Sequence, residues 1–309
     1  MVVDHSENPD FKEVARSFAA LWQALTAAGG SVREPGRRHA LIDQVRDALD
    51  RGEDRLAGHD ITIIANTFVL ETVVHEGAST RIHRARHRDL DSLHAIKTLR
   101  TDQADDPVAR ELLLREARIG RAIRHPNVVA TETLLRLADG RPAVVLEWID
   151  RSLADLVRET PLSGDDITRI IAAILKGLDA IHAAGFVHGD LSFSNLRYRD
   201  GDLPQLKIGD FGIALETGGR HRDLDIVFAG RPQFAPPEQL AGLALDARSD
   251  LHAAGLILST LLDHCQEAGA MVEHLRRLAM ELARPEPQER PENAKAALHL
   301  LGGLGREEP

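Results

Sequence analysis

The stretch that decides the fold is His188-Gly189-Asp190-Leu191-Ser192-Phe193-Ser194-Asn195, followed a short distance later by Asp210-Phe211-Gly212. Taken singly, each charged or amide residue in these segments would be interpreted as solvated surface, which is where most such side chains lie. Their order along the chain changes that interpretation. Three further segments accompany them: Ala95-Ile96-Lys97, Arg115-Glu116-Ala117 and Pro236-Pro237-Glu238.

The residues before this block predict a strand-rich lobe with one helix. Short antiparallel strands are indicated by β-branched and alternating residues over 61–64, 67–74, 81–85 and 92–97. Residues 107–124 have the 3.6-residue period of an amphipathic helix, and a further strand is expected over 143–148. From Leu153 onward the pattern is mostly helical, apart from a strand-and-loop block over 187–237. The predicted fold class is therefore α+β, with a small antiparallel β lobe and a larger helical lobe.

Two amphipathic helices are predicted ahead of the strands. The first is expected over Asp10–Ala28, and the second carries Leu41 and Leu49 on one face and should end near Gly52. They either dock onto the next domain or offer residues 10–52 to a regulatory or dimer partner. The predicted domains are an N-terminal helical extension at 1–60, a main domain at 61–303 with a small lobe at 61–146 and a large lobe at 150–303, and a tail at 304–309.

Composition narrows the class of partner and the compartment. The chain has 309 residues, a formal net charge of −10 and a pI of about 5.8, so its surface should repel phosphate backbones and anionic membranes. Neither nucleic acid nor a membrane is expected as a partner. The single cysteine, Cys265, excludes an internal disulfide framework. With no secretory signal pattern and no 18-residue apolar run, a cytoplasmic location is expected.

In their order, the quoted segments resemble the eukaryotic-type protein kinase family, in particular its bacterial serine/threonine branch, over about residues 61–303. Further matching segments are Arg124-His125-Pro126-Asn127-Val128-Val129, Leu146-Glu147-Trp148, Asp246-Ala247-Arg248-Ser249-Asp250 with Gly255, and Glu289-Arg290-Pro291. The resemblance implies the bilobal protein-kinase fold. It also implies ATP as the phosphate donor and Mg²⁺ as the accompanying ion, with Mn²⁺ as an alternative.

The resemblance assigns catalytic roles to five residues, because phosphoryl transfer depends on positioning and on compensated negative charge. Lys97 is implied to pair with the α and β phosphates, and Glu116 to hold that flexible lysine in place. Asn195 and Asp210 are implied ligands of Mg²⁺, since their oxygens are hard donors. Asp190 is implied to accept or orient the proton of the substrate hydroxyl.

The same resemblance places the nucleotide against Val74, Gly77, Ile82, Ala95, Lys97, Glu147, Trp148 and Arg197. The glycine-rich loop is the weakest match, because the family's Gly-x-Gly-x-x-Gly-x-Val becomes His75-Glu76-Gly77-Ala78-Ser79-Thr80-Arg81-Ile82 and keeps only the middle glycine. Non-glycine residues restrict φ and therefore the approach of backbone to phosphate. Arg197 replaces an apolar floor under the adenine, where its aliphatic stem or its guanidinium plane could lie.

Four departures concern catalysis and regulation. Gly189 replaces the arginine whose positive charge responds to activation-loop phosphorylation in many kinases. Thr217 is the only hydroxyl residue in the segment 210–238. Together they predict activity that does not depend on phosphorylation of this segment. Ser192 stands where serine/threonine kinases place a lysine near the transferred phosphate. Arg231 either restores that positive charge or is a solvated arginine.

Two structural contacts are also implied by the resemblance. Glu238 and Arg290 should form a buried ion pair in the large lobe, and Asp250 should brace the catalytic loop from a central helix. The fifteen histidines show no HExxH spacing and are interpreted as surface or core residues.

The leading functional hypothesis is an ATP- and Mg²⁺-dependent kinase that phosphorylates serine or threonine hydroxyls on a protein substrate. A pseudokinase that regulates a partner is the first alternative; the altered glycine-rich loop, Ser192 and Arg197 favour it, and the intact set of five catalytic residues opposes it. A small-molecule kinase is the second alternative, because His-Gly-Asp followed by Asn195 is similar to aminoglycoside phosphotransferases. Pro236-Pro237-Glu238 and the block 246–250 argue against it, because these segments help to form a peptide-substrate lobe.

Overall fold

The computed structural model describes residues 9–28, 31–56, 62–65, 67–137, 139–224 and 231–303. The chain divides into two compact units, residues 1–69 and residues 70–309. The division falls just inside a long strand that begins at Phe68. The predicted boundary between residues 60 and 61 stays a prediction.

The first unit contains both predicted helices. Its elements are α1 (Pro9–Thr26), β1 (Ala27–Ala28), β2 (Ser31–Val32), α2 (Pro35–Leu56) and β3 (Thr62–Ile64). Strands β1 and β2 pair antiparallel and connect the two helices. Helix α2 begins at Pro35, because a proline at the first helical position needs no N–H partner and has its φ already fixed. It continues past Gly52, where we expected its end, since one interior glycine costs a helix only about 1 kcal/mol.

The small lobe of the second unit is built on an antiparallel sheet with one helix packed on it. Its elements are β4 (Phe68–Glu76), β5 (Thr80–His87), β6 (Leu93–Leu99), α3 (Pro107–Ala122), β7 (Thr131–Arg136) and β8 (Pro142–Glu147). The strand order is β4-β5-β6-β8-β7, and β6 pairs antiparallel with both β5 and β8. This register sets Lys97 of the central strand opposite Ile82 on one side and Val144 on the other.

Helix α3 is capped and packed so that one face meets the sheet. The Asp106 carboxylate accepts hydrogen bonds from the N–H groups of Val108 and Ala109, which satisfies two unpaired donors of the first turn. The buried cluster between helix and sheet consists of Leu99, Ala109, Leu113, Ala117 and Val144. Strand β7 was not among the predicted strands. Its side chains alternate between half-buried and exposed, and its sequence, Thr-Glu-Thr-Leu-Leu-Arg, does not alternate between apolar and polar residues as a predicted strand should.

The large lobe is mostly helical. Its elements are β9 (Arg151–Ser152), α4 (Leu153–Glu159), α5 (Gly164–Ala183), β10 (Phe186–Val187), β11 (Leu196–Tyr198), β12 (Lys207–Ile208), β13 (Leu215–Glu216), α6 (Pro237–Leu240), α7 (Ala247–Asp263), α8 (Ala270–Leu282) and α9 (Ala294–Leu301). Helix α5 begins with a capping box between Ser163 and Asp166. Its isoleucines and leucines are fully buried, and burial of each such side chain contributes about 1.5–3 kcal/mol.

Helices α7 and α8 approach each other closely at Gly255. A Cβ atom on this residue would lie 2.8 Å from the backbone nitrogen of Ala283 and 2.9 Å from the carbonyl oxygen of Ala279. No side chain fits in that space. Gly255 therefore sets the distance between the two helices.

Among the helices that the structure describes, none is both long enough and apolar enough to cross a bilayer.

Candidate active site

Lys97 connects the two lobes of the site through two carboxylates. Its ammonium group lies 2.8 Å from the Glu116 carboxylate of α3 and 2.8 Å from Oδ1 of Asp210. Both Lys97 and Glu116 are only 5% exposed. The central position of β6 and the inward face of α3 thus bring together residues separated by 113 positions in the chain.

The charges of Lys97 and Asp210 stabilise each other, whereas burial, together with the nearby charge of Asp210, raises the pKa of Glu116. The Lys97 ammonium lowers the pKa of Asp210 to about 2. Burial by itself would lower the pKa of Lys97, but the charges of Asp210 and Glu116 outweigh that effect and raise it. Lys97 and Asp210 are therefore both charged near neutral pH, and the ammonium group stays hydrogen-bonded to the Asp210 carboxylate.

The turn that carries Asp210 is held in an uncommon backbone conformation. Asp210 has φ of +69°, a left-handed value that few residues other than glycine adopt. Its Oδ1 also accepts the N–H of Gly212 at 3.3 Å. Strained backbone of this kind concentrates at functional sites, where the surrounding structure must hold it.

Asp250 holds the catalytic loop from helix α7, as the resemblance implied. Its carboxylate accepts the backbone N–H of His188 at 2.8 Å and that of Gly189 at 2.9 Å, and it also contacts His182 Nε2 at 2.8 Å. His188 adds a second connection, because its Nε2–H donates to the carbonyl oxygen of Gly209 at 3.0 Å. The loop before Asp190 is thereby fixed to the turn before Asp210.

Asp190 and Asn195 lie side by side in this loop. The Asn195 amide donates to the carboxylate of Asp190 at 3.0 Å and to its carbonyl oxygen at 2.8 Å. The other carboxylate oxygen, Oδ1, is buried and has no hydrogen-bond partner among the described residues. Burial raises the pKa of Asp190 above its ordinary value. An unpaired, partly desolvated carboxylate oxygen is the kind of group that accepts a proton from a substrate.

The oxygens of Asn195 and Asp210 fit a hard divalent cation. The carbonyl oxygen of Asn195 accepts the N–H of Gly209 at 2.8 Å, which holds the two candidate ligands on adjoining segments. Among the described residues, no group of three or more His, Cys, Asp or Glu side chains is arranged as a metal site. Two protein ligands suit Mg²⁺, which usually keeps several waters and binds substrate phosphates as well.

The segment that should meet the adenine is held by a charged network. Glu147 accepts Lys207 Nζ at 3.0 Å and Arg199 Nη2 at 3.2 Å, and Arg199 also donates to the carbonyl oxygen of Trp148. Arg197 is half-buried, and its Nη2 donates to the carbonyl oxygen of Ile149 at 2.6 Å. We expected either the aliphatic stem or the guanidinium plane of Arg197 beneath the adenine. In the structure the guanidinium group is hydrogen-bonded to the backbone of Ile149, the residue after Trp148.

The counterpart of the glycine-rich loop is a tight hairpin between β4 and β5. The backbone N–H of Gly77 donates to the carbonyl oxygen of Thr80 at 2.9 Å. This donor is therefore already used within the hairpin. Arg100, the residue after β6, holds the hairpin, since its backbone N–H donates to the carbonyl oxygen of Ser79 at 2.9 Å. Other predicted nucleotide contacts lie on the same sheet: Val74 on β4, 47% exposed, Ile82 on β5, and Ala95 on β6 opposite Leu146.

The activation segment borders the catalytic loop. A cleft beside Asp190 is lined by Arg231, Phe234 and Gln239, among others. Gln239 Nε2 donates to the carbonyl oxygen of Gly189 at 2.8 Å. Gly230, which precedes Arg231 in the matching segment, lies outside the described residues.

His221 is a residue of this segment that the sequence did not single out. It is 9% exposed, and its Nε2 lies 3.0 Å from the carbonyl oxygen of Ile213. Its ring also packs against Gly189, where a Cβ atom would lie 3.2 Å from the His221 Nε2. The one sequence signal for this contact is Gly189. A residue without a side chain at this position leaves space for the ring of a residue from another segment.

The implied ion pair of the large lobe is present. Arg290 contacts both Glu238 oxygens, at 2.7 and 2.9 Å, and Ser249 donates to Glu238 at 2.9 Å. All three residues are buried. This pair connects the end of the activation segment to the region after α8.

A family model described as "Protein kinase domain" matches residues 68–300. Curated relatives include "Serine/threonine-protein kinase pkn3" of Myxococcus xanthus, 31% identical over 207 residues that cover 64% of this chain and 38% of the relative. "Serine/threonine-protein kinase Pkn1" of the same organism is 29% identical over 240 residues, or 77% of this chain and 33% of the relative. "Serine/threonine-protein kinase PknB" of Mycobacterium tuberculosis is 30% identical over 210 residues, or 64% of this chain and 33% of the relative.

The chain spans about a third of the length of the curated relatives it matches. The family model covers most of the chain and includes every residue of the site described above. The α+β architecture, with its antiparallel small lobe and helical large lobe, agrees with that match. The chain belongs to the protein kinase family and is similar to its bacterial serine/threonine kinases.

Proposed function

We propose that this protein is an ATP- and Mg²⁺-dependent kinase that transfers the γ-phosphate to serine or threonine hydroxyls of a protein substrate. The observation that carries the proposal is the bridge from Lys97 to Glu116 and Asp210. A pseudokinase has no need to keep three buried or partly buried charges in one hydrogen-bonded cluster, because such a cluster is costly to bury. The names of the curated relatives support a protein rather than a small molecule as the substrate.

Each residue of the site has a defined task in this proposal. Bound Mg²⁺–ATP supplies the phosphoryl group and the cation that neutralises its charge. Lys97, held by Glu116, orients the phosphates electrostatically, and Asn195 and Asp210 supply oxygen ligands. Asp190 receives or orients the proton of the incoming hydroxyl on its unpaired Oδ1. Asp250 keeps the loop of Asp190 in place through the backbone N–H groups it accepts.

The test is incubation with γ-labelled ATP and Mg²⁺, followed by gel separation of labelled protein. Asp190→Ala and Asp210→Ala variants serve as controls, and Mn²⁺ replaces Mg²⁺ in a parallel arm. Protein label that disappears in both variants supports the proposal. ATP turnover without labelled protein would instead indicate a small-molecule acceptor.

A pseudokinase is the second candidate, and the hairpin at Gly77 favours it. The Gly77 N–H is occupied by Thr80, and Arg197 is tied to the Ile149 carbonyl where an apolar floor is usual. Both features reduce the groups free to contact a nucleotide. Absence of labelling, together with an unchanged melting temperature on addition of ATP and Mg²⁺, would support this candidate over the kinase.

We further propose that the activity needs no phosphorylation of the activation segment. Thr217, its only hydroxyl residue, already donates from Oγ1 to the carbonyl oxygen of Gly185 at 3.2 Å, and its N–H donates to the same oxygen at 2.9 Å. Thr217→Ala should therefore keep turnover within about twofold, because the loss of one exposed hydrogen bond is a small change. Steady-state assays of both proteins, each checked for phosphate content by mass spectrometry, test this. A strong loss of activity in Thr217→Ala would contradict it.

Arg231 is proposed to supply the positive charge that is missing at Ser192. It lines the cleft beside Asp190, and its charge acts to lower the pKa of that carboxylate. Arg231→Ala should lower kcat by about tenfold, the scale of one charge-assisted interaction. Arg231→Lys keeps the charge and should retain most of kcat. Unchanged turnover in Arg231→Ala would show that this arginine is merely solvated.

Two further proposals concern the whole chain. A cytoplasmic location is proposed from the single cysteine and the acidic charge.

A regulatory or dimer partner for residues 10–52 is proposed because two large aromatic side chains are exposed there. Phe18 and Trp22 stack with ring centroids 6.4 Å apart, and they are 62% and 50% exposed.

A further inference from the structure

His221 touches the backbone on both sides of the reaction centre. Gly189, against which its ring packs, immediately precedes Asp190, and Ile213, to which its Nε2 is bonded, lies three residues after Asp210. The segments that carry the candidate proton acceptor and a candidate metal ligand thus both contact one buried side chain.

The chemistry of the imidazole suits a fixed bond. Its partner is a carbonyl oxygen, which only accepts, so Nε2 must carry the proton and donate. Burial lowers the pKa of His221, and the nearby charge of Arg115 acts in the same direction. The ring is therefore neutral near neutral pH, and the hydrogen bond does not depend on a phosphate.

Gly189 is required for this arrangement. Its φ of +71° is unfavourable for a side chain, and a Cβ atom would lie 3.2 Å from the His221 Nε2 and 3.3 Å from its Cε1. Those distances are shorter than ordinary contact distances. A residue with a side chain at position 189 would push the ring away from the Ile213 carbonyl.

Arg115 makes a parallel contact from α3. Its Nη1 donates to the carbonyl oxygen of Ala214, the residue after Ile213. Arg115 itself precedes Glu116, which holds Lys97. The consecutive carbonyl groups of Ile213 and Ala214 are therefore both hydrogen-bonded. His221 of the activation segment binds the first, and Arg115 of α3 binds the second.

We infer that His221 is a positioning residue that holds the Asp210–Ala214 turn against the catalytic loop without any phosphate group. This inference rests on the proposed kinase function and names the side chain that makes activation-segment phosphorylation unnecessary. His221 makes no contact with the reacting atoms. It acts through Gly189 and Ile213 on the placement of Asp190 and Asp210.

The test compares His221→Ala, His221→Gln and a matched control, His274→Ala. His274 also forms a histidine–carbonyl hydrogen bond of 3.0 Å, to Leu300 in the large lobe. His221→Ala should lower kcat by about 10- to 100-fold, the cost of misplacing reacting groups, with a smaller change in the KM for ATP. Glutamine can donate from a similar position and should recover most of kcat, and His274→Ala should resemble the wild type.

A second readout does not depend on activity. Hydrogen exchange of the backbone N–H groups of Gly212 and Ala214, which donate to Asp210 and Phe211, should become faster in His221→Ala and stay unchanged in His274→Ala. A kcat within twofold of the wild type, or unchanged exchange in His221→Ala, would overturn the inference. If the wild-type protein transfers no phosphate, the proposed function fails, and the exchange experiment still decides the role of His221.

Gly189→Ala adds an independent test. Alone, it should lower kcat because the new methyl group displaces the ring. In the His221→Ala background there is no ring to displace, so Gly189→Ala should lower kcat by less than it does in the wild type. The losses of kcat from the two substitutions should therefore not add. Full additivity would contradict the contact on which the inference is built.

Discussion

Asp190→Asn is expected to lower phosphate transfer by about 10²- to 10⁴-fold, the usual contribution of a general base. The amide keeps the shape of the carboxylate and an oxygen that can accept from the Asn195 amide, so the loop should stay in place. What it loses is the ability to take a proton at the unpaired Oδ1. Transfer of label from ATP to protein measures the effect. Asp263→Asn, an exposed site in the same lobe, serves as the control.

The stability of this variant should move in the opposite direction. Burial raises the pKa of Asp190 above 3.8, so the folded protein binds this proton more tightly than the unfolded chain does. The contribution of Asp190 to stability therefore falls as pH rises through and above 3.8. Asp190→Asn should be at least as stable as the wild type at pH 7, and its advantage should shrink as pH is lowered toward 4. Lower stability at pH 7 would contradict the burial argument, and retained activity would remove Asp190 from the mechanism.

Lys97→Met is expected to abolish phosphate transfer and to destabilise the fold by about 3–5 kcal/mol. Methionine has a similar length but no charge, so the buried Glu116 carboxylate would lose its hydrogen-bonded partner. Chemical denaturation of the two proteins measures the difference in the free energy of unfolding. Lys176→Met, which removes an exposed lysine of α5, should change stability by less than about 0.5 kcal/mol.

The loss in Lys97→Met should depend on pH. Lys97 lowers the pKa of Asp210 from 3.8 to about 2, which adds stability that is present above 3.8 and is lost as pH falls toward 2. The variant lacks that contribution at every pH, so the gap between the two proteins should narrow in acid. Adding Glu116→Gln should restore part of the stability but none of the activity. Equal stability of Lys97→Met and the wild type at pH 7 would refute a buried, charged pair.

The sequence was most informative where chemistry restricts residue type. The resemblance to protein kinases predicted that Lys97, Glu116 and Asp210 belong to one site, and the structure places Lys97 within hydrogen-bond distance of both carboxylates. The same resemblance implied the contacts of Asp250 with the catalytic loop and of Glu238 with Arg290, and both contacts are present. Buried charges need specific partners, so their residue types seldom vary without a matching change.

Other features lie beyond a local pattern. The contact of His221 with Gly189 joins residues far apart in the chain, and no spacing rule marks one of fifteen histidines for that place. The hairpin at Gly77 is held by Arg100, which follows another strand, β6. The end of α2 was misplaced because a glycine weakens a helix without always ending it. Propensity and periodicity describe one segment at a time, whereas the His221 contact and the Gly77 hairpin each depend on two segments.

The contact at Gly255 has a consequence for mutational tolerance. Gly255 and Asp250 belong to the same helix, about 7.5 Å apart along its axis at 1.5 Å per residue. A methyl group at position 255 would meet the backbone of α8 and force α7 to tilt or shift. That movement would carry the Asp250 carboxylate away from the N–H groups of His188 and Gly189. A survey of natural variants would then find position 255 as restricted as the reaction centre itself, although Gly255 contacts α8 and none of the candidate site residues.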